Sequence, residues 1–212
     1  MDEFILILEL IGIVAFASSG AMIAIEKKMD IFGVNVLGAT TAVGGGIMRD
    51  VILGLTPPTA FSHPIYLLIS TITSTLLFVI AYLRPSTFQS RLKTDYYDRL
   101  MFWCDTAGLG IFTVVGVQAA ARVVDEQNVF FFVFIGVLTG VGGGVLRDIM
   151  AGETPYILVK HIYACAAIAG AIVCVIGRIY FGGAYGMIFG VAVTVLLRFM
   201  AAHYRWNLMR IS

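Results

Sequence analysis

The chain has 212 residues, of which 59% are hydrophobic and 13% charged, with a net charge of +1 and a mean hydropathy of +0.94. Soluble domains are about 45–50% apolar and about 25% charged, so the composition excludes one, and the near-neutral charge gives no general attraction to nucleic acid. Apolar runs of about 20 residues, rather than alternation over about 10, specify an all-α membrane protein and not a barrel.

The first apolar span covers residues 4–25 and carries Glu9 and the small-residue patch Ala17-Ser18-Ser19-Gly20-Ala21. Its length, and Asp2 and Glu3 ahead of it, argue against a cleavable signal peptide. The second span, 34–55, ends at Thr56-Pro57-Pro58, because proline cannot continue a helix. The third covers 64–83. Residues 84–99 form a polar linker that includes Arg84, Arg91, Lys93 and Arg99. The fourth span is 100–121, with Asp105 and Thr106 near its start; the fifth is 129–151; the sixth is 156–176. The seventh, 184–201, has no counterpart. This divides the chain into a three-helix unit (1–83), a cytoplasmic linker (84–99), a second three-helix unit (100–178), and a seventh helix with its tail (179–212). Cys104, Cys165 and Cys174 lie in apolar runs without CxxC spacing and read as small buried hydrophobes.

One phrase is written twice. Thr41-Ala42-Val43-Gly44-Gly45-Gly46-Ile47-Met48-Arg49-Asp50 returns 98 positions later as Thr139-Gly140-Val141-Gly142-Gly143-Gly144-Val145-Leu146-Arg147-Asp148. The Leu-Thr-Pro and Glu-Thr-Pro endings, and His63 and His161, keep the same offset. A unit of three spans is odd, so its second copy enters from the opposite side, as an inverted repeat with sites near the midplane. Each glycine costs a helix about 1 kcal/mol relative to alanine, and a mid-membrane arginine costs about 2.5–3.5 kcal/mol. Two structural outcomes fit. The glycines either permit close helix packing, or the second and fifth helices break or kink there and expose backbone groups to a water-filled path. On the second outcome Asp50 and Asp148 sit in the first turn of a half-helix, favoured by its dipole. Arg49 and Arg147 must be paired or wetted, and carboxylates are their expected partners, with pairing across the two repeats as one option.

Other polar residues are candidates of a second order. Asp105 either caps a helix or lines a path. Ser18, Ser19 and Thr106 can hydrogen-bond to a neighbouring span. Tyr66 and Tyr163 could narrow a path, with ordinary packing the simpler reading, and His63 and His161 read as interfacial. Neither triplet is a P-loop, because no Lys-Ser/Thr follows it, and no catalytic or metal-binding arrangement stands out. Counting Lys and Arg in alternate loops gives ten on one side, Arg198 included, and two on the other, Arg122 and Arg178. This bias places the N-terminus outside and the C-terminus in the cytoplasm, with His203, Tyr204 and Trp206 at the inner interface.

The doubled Gly-Gly-Gly-x-x-Arg-Asp phrase, with Ser19-Gly20-Ala21, Met29-Asp30-Ile31-Phe32-Gly33 and the stretch from Asp105 to Gly110, resembles the signature of prokaryotic TRIC channels, the trimeric intracellular cation channels. The same bacterial domain is also labelled a glycine-transporter-type domain. The resemblance covers nearly the whole chain. It implies two inverted three-helix repeats plus a seventh helix, and a homotrimer in lipid. It also implies a pore in each protomer between the kinked second and fifth helices, passing K⁺ and Na⁺ without a cofactor or a resident metal. Gly44–Gly46 and Gly142–Gly144 then mark the kinks, and Arg49, Asp50, Arg147 and Asp148 line or support the pore. A prokaryotic version is expected in the plasma membrane. Two further readings stand beside the channel: a secondary transporter of a small zwitterion such as glycine, whose two ends an arginine and a carboxylate would match, and a structural membrane protein.

Overall fold

The computed structural model describes residues 2–83, 95–124, 128–159, 162–204 and 206. Among them the chain is all helical. The long helices are α1 (Asp2–Glu26), α2 (Ile31–Ile52), α4 (Ile65–Leu83), α5 (Asp95–Val123), α6 (Val129–Met150), α8 (Tyr163–Phe181) and α9 (Gly183–His203); α3 (Thr59–Ser62) and α7 (Tyr156–Val159) are single turns. All seven long helices are apolar and long enough to cross a membrane. The fourth helix starts earlier than expected and absorbs residues 95–99 of the expected linker; residues 84–94 lie outside the described part, as do Lys160, His161, Arg205 and Arg210. The sixth span also differs. Its expected start, 156–159, is the separate turn α7, and the spanning helix begins at Tyr163.

The two copies of the repeated phrase start and stop by the same devices. Asp30 Oδ1 accepts from the Gly33 N–H at 2.8 Å, and Asn128 Oδ1 accepts from the Phe131 N–H at 3.0 Å. Each side chain caps the helix after it. At the other ends Gly54 (φ 71) and Gly152 (φ 70) are left-handed. Leu55 N–H then reaches the Asp50 carbonyl and Glu153 N–H the Asp148 carbonyl, each at 2.8 Å, closing both helices with a glycine C-cap. Within the helices Thr41 Oγ1 donates to the Leu37 carbonyl (2.6 Å) and Thr139 Oγ1 to the Ile135 carbonyl (2.7 Å), so two buried hydroxyls are satisfied without leaving their helix.

Both helices run unbroken through their glycines. The expected break, with freed carbonyls and N–H groups, does not occur. The glycines are instead where α2 and α6 touch. A Cβ on Gly45 would overlap the Thr139 carbonyl, and a Cβ on Gly143 would overlap the Thr41 carbonyl. On Gly142 it would stand 3.1 Å from the Gly45 Cα, and on Gly44 2.6 Å from Leu146 Cδ1. The physical reason is the solvent. An abandoned backbone hydrogen bond has no water to replace it in lipid, whereas helices without side chains between them gain close van der Waals contact.

Around this crossing α5 is the most enclosed span, with 72% of its apolar window buried against 22–50% for the others. Gly12 of α1 lies against Ile111 and Phe112 of α5, Gly108 of α5 against Phe16, and Gly170 of α8 against Thr194 of α9. Outward faces are apolar, as Leu68, Ile72 and Leu76 on α4 illustrate. Of the cysteines Cys174 is buried, Cys104 is intermediate and Cys165 is exposed, so the expectation of burial fails at Cys165, which sits on an outward face of α8. Lys27, just past α1, pairs with Glu153 in the loop after α6; the hydrogen bond to that carboxylate holds the ammonium above its ordinary pKa.

Gly45→Ala and Gly143→Ala should each destabilise the protein by about 1–3 kcal/mol, the usual result of overpacking, because the obstructing atoms are backbone. Gly46 faces open space, with nothing nearer its added Cβ than Arg49 Nη2 at 3.8 Å. There alanine should be neutral or stabilise by up to about 1 kcal/mol through helix propensity. Thermal unfolding in detergent separates the cases, and equal tolerance at all three positions would disprove the crossing.

Candidate ion pathway

The repeated Arg-Asp pair folds into the same local unit twice. Arg49 Nε donates to Asp50 Oδ1 at 2.7 Å, and Asp50 Oδ2 accepts from the Thr59 N–H at 2.7 Å. Arg147 Nε donates to Asp148 Oδ1 at 2.8 Å, and Asp148 Oδ2 accepts from the Tyr156 N–H at 2.8 Å. One carboxylate oxygen thus neutralises the preceding guanidinium while the other anchors the first turn of α3 or α7. Each arginine thus has the expected carboxylate partner, the aspartate next to it on its own helix, and among the described residues the option of a carboxylate from the other repeat is not taken. What crosses between the halves is a hydroxyl: Ser19 Oγ accepts from Arg147 Nη1.

Beyond that shared unit the two pairs sit in opposite surroundings. Arg147 is 0% exposed. Its Nη1 also meets Asp105 Oδ1 at 2.8 Å, and its guanidinium lies 5.1 Å from the Tyr156 ring centre. Asp105, 1% exposed, takes a second cation from α9, with Arg198 Nη2 3.4 Å from its Oδ2. Tyr163 donates its hydroxyl to Asp105 Oδ1 at 3.3 Å, and Arg198 Nε donates to Thr106 Oγ1 at 3.4 Å. The rings of Tyr163 and Phe102 lie 4.7 and 4.9 Å from the Arg198 guanidinium carbon. Two guanidiniums and two carboxylates cancel, and at 0–6% exposure the layer is closed to bulk solvent and dry in that sense.

Arg49 and Asp50 instead border a cleft of about 670 Å³, together with Glu3, Glu9, Tyr66 and Arg122. An adjoining cavity of about 30 Å³ shares Glu9, Arg49, Asp50, Thr59 and Tyr66 as walls and extends to Gly46 and Phe112. That volume holds about two waters. Here Tyr66 donates its hydroxyl to Glu9 Oε2 at 2.6 Å. Arg49, Asp50 and Glu9 sum to −1, against zero in the layer around Arg147.

Ser19, Asp105 and Tyr163 therefore gather at Arg147, with Thr106 beside them on Arg198, while Tyr66 stands with Arg49 and Asp50. Both tyrosines hydrogen-bond to buried or half-buried carboxylates, which goes beyond simple packing. Gly46 reaches the small cavity; Gly44, Gly45, Gly142 and Gly143 are spent on the helix crossing. Gly144 faces the dry layer, with Tyr163 Oη 3.3 Å from where its Cβ would be. Two residues were missed. Arg198, counted in the sequence among the cytoplasmic positive charges, is 6% exposed inside α9, which leaves nine on that side. Glu9 was noted without a role; its signal is an ionisable residue in the middle of an apolar span, a functional marker by default.

Replacing Arg147 with methionine takes the guanidinium from Asp148 and leaves Asp105 with Arg198 alone in a closed interior, and should cost about 3–5 kcal/mol. Arg49→Met leaves its carboxylates beside a wet cleft and should cost clearly less. Melting temperatures of the two purified variants test the difference, and equal losses would contradict the dry–wet contrast.

A family model described as "Glycine transporter" matches residues 6–82 and again 102–178, once for each half. The inner membrane protein YadS of Escherichia coli K12, of the group named UPF0126, is 38% identical over 203 residues, covering 95% of this chain and 92% of its own. A solved TRIC cation channel superposes with a TM-score of 0.82 at 36% identity, over 97% of this chain and 96% of the channel. The TRIC orthologue from Rhodobacter sphaeroides gives 0.85 at 31% identity, over 95% and 98%. With both halves matched, and near full-length agreement in sequence and in fold, the chain belongs to the TRIC-type, UPF0126 family of membrane proteins.

Proposed function

We propose that the protein is a monovalent-cation channel of a prokaryotic inner membrane, passing K⁺ and Na⁺ along a path within each protomer of a homotrimer. Its role is transport and not catalysis. The observation that carries the reading is a cleft of about 670 Å³ leading to a layer of net negative charge inside an apolar protein, in a chain that superposes on solved cation channels. An unpaired arginine 4 Å from a permeant cation would repel it by about 4 kcal/mol at an effective dielectric of 20. Asp50 and Asp148 remove that objection by neutralising both arginines at 2.7–2.8 Å.

The path enters through the cleft walled by α1, α2, α4 and α5 and passes the α2–α6 crossing, and the two three-helix units are inverted copies. Support comes from the contacts at the crossing: Gly45 meets Thr139 and Gly143 meets Thr41, a pattern that swaps onto itself when the units exchange. With Arg198 removed from the count, the excess of Lys and Arg still favours a cytoplasmic C-terminus, so the cleft opens outward. The dry layer around Arg147 then closes the inner half, and this conformation is the shut one. Opening requires Asp105 to leave Arg198 or Arg147, with the glycine triplets as the place where α2 and α6 bend.

The name of the family model keeps a glycine-transporter reading alive, and the Arg49–Asp50 pair facing a cleft is its best support. Against it, the cavity beyond the cleft holds only about two waters, the size of a partly hydrated ion. Bilayer recordings from purified protein in K⁺ gradients, and then in glycine gradients, decide between them. Unitary currents that do not saturate with glycine support the channel; glycine uptake without unitary currents overturns it. Asp50→Asn and Asp148→Asn should each lower cation conductance several-fold, and Arg198→Ala should raise open probability by releasing one of the two cations on Asp105. Unchanged currents in all three variants would remove the charged layers from the path.

A further inference from the structure

We propose that the Glu9 carboxylate is a binding site for the permeant monovalent cation at the floor of the cleft, in the place that a guanidinium occupies on Asp105. The proposal rests on the channel reading and deepens it. It comes from comparing the two halves position by position.

In α1 and α5 the halves align with an offset of 96. A Cβ on Gly20 would lie 2.5 Å from Thr41 Oγ1 and 2.9 Å from the Gly38 Cα; on Gly116 it would lie 2.5 Å from Thr139 Oγ1 and 2.9 Å from the Gly136 Cα. The same offset carries Glu9 onto Asp105. The tyrosines agree, since Tyr66 donates to Glu9 at 2.6 Å and Tyr163 to Asp105 at 3.3 Å. Glu9 and Asp105 are the same carboxylate in the two copies.

Their partners differ. Asp105 holds Arg147 at 2.8 Å and Arg198 at 3.4 Å. Among the described residues Glu9 has the neutral Tyr66 hydroxyl as its partner, Arg49 pairs with Asp50, and no helix of the first half corresponds to α9. Among the described residues, a carboxylate whose repeat-mate takes two cations thus stands without an ion pair, on the wall shared by the cleft and the two-water cavity. One carboxylate and one phenol oxygen fall far short of the six to eight oxygens of a calcium site. They suit weak, exchangeable binding, which conduction requires.

Two measurements test the site independently. In bilayers, Glu9→Gln should reduce unitary K⁺ conductance about threefold or more in about 0.01 M salt, where charges act over about 30 Å, and much less in about 1 M salt, where they act over about 3 Å; Glu9→Asp should keep most of the conductance. Guanidinium should block wild-type current from one side of the bilayer only, and Glu9→Gln should relieve that block. In crystals soaked in rubidium chloride, an anomalous peak should appear beside Glu9 and be absent from Glu9→Gln. Wild-type currents with an unchanged Glu9→Gln variant and no rubidium peak would overturn the site and leave the channel standing. A rubidium peak in a protein without currents would uphold the site and bring down the channel. Equal losses in Glu9→Asp and Glu9→Gln would reduce Glu9 to a packing role and overturn the proposal.

Discussion

The structure depends on how each aspartate of the repeated phrase divides its two oxygens. One takes the guanidinium of the residue before it; the other takes a backbone N–H at the start of a short turn eight or nine residues on. An ionised arginine buried without a partner would cost several kcal/mol in a membrane, and the loop after the helix would keep an unpaired N–H. One carboxylate settles both. It also ties the loop to the helix, so the turns α3 and α7 close over the charged layers. Charge and chain path are therefore held by the same group, and neither can shift without the other.

From two matching Arg-Asp units the molecule builds unlike layers. The difference comes from the helix with no counterpart. α9 sends Arg198 onto Asp105, fills the space beside Tyr163, and neutralises a layer that would otherwise carry −1. The other half lacks such a helix, so its equivalent layer keeps the charge of Glu9 and opens to a cleft. A seventh span added to two matching halves thus leaves one charged layer open to a cleft and the other closed.

Much of this was legible in the sequence because lipid leaves few choices. Seven spans follow from run length alone, and two copies of Arg-Asp inside apolar runs force pairing wherever they fall. The fate of the glycines was not legible. Propensity measured in water argues for breaking a helix at three glycines, but in lipid the backbone keeps its hydrogen bonds, and glycine's missing side chain becomes contact between α2 and α6 instead. Arg198 was hidden by its place three residues inside the expected end of the seventh span, where a long side chain can reach the interface. Glu9 was hidden by register. The repeated phrase sets an offset of 98, the first helices of the two halves run at 96, and the residue type changes from aspartate to glutamate.

On the channel reading, the dry layer also limits how often the path can open. Parting Asp105 from a guanidinium without any compensation would cost about 3–5 kcal/mol, the usual penalty for a broken buried pair. Water entering from the Arg49 side, and a cation taking the vacated oxygen, each reduce that cost. The uncompensated figure therefore sets a lower bound on the open population, between about one molecule in a hundred and one in several thousand. A stimulus needs to supply only a few kcal/mol of preference for the open arrangement to invert that ratio. The permeant ion can supply part of it, because it replaces at Asp105 the positive charge that leaves. On that reading occupancy and opening are coupled, and Asp105 is where they meet.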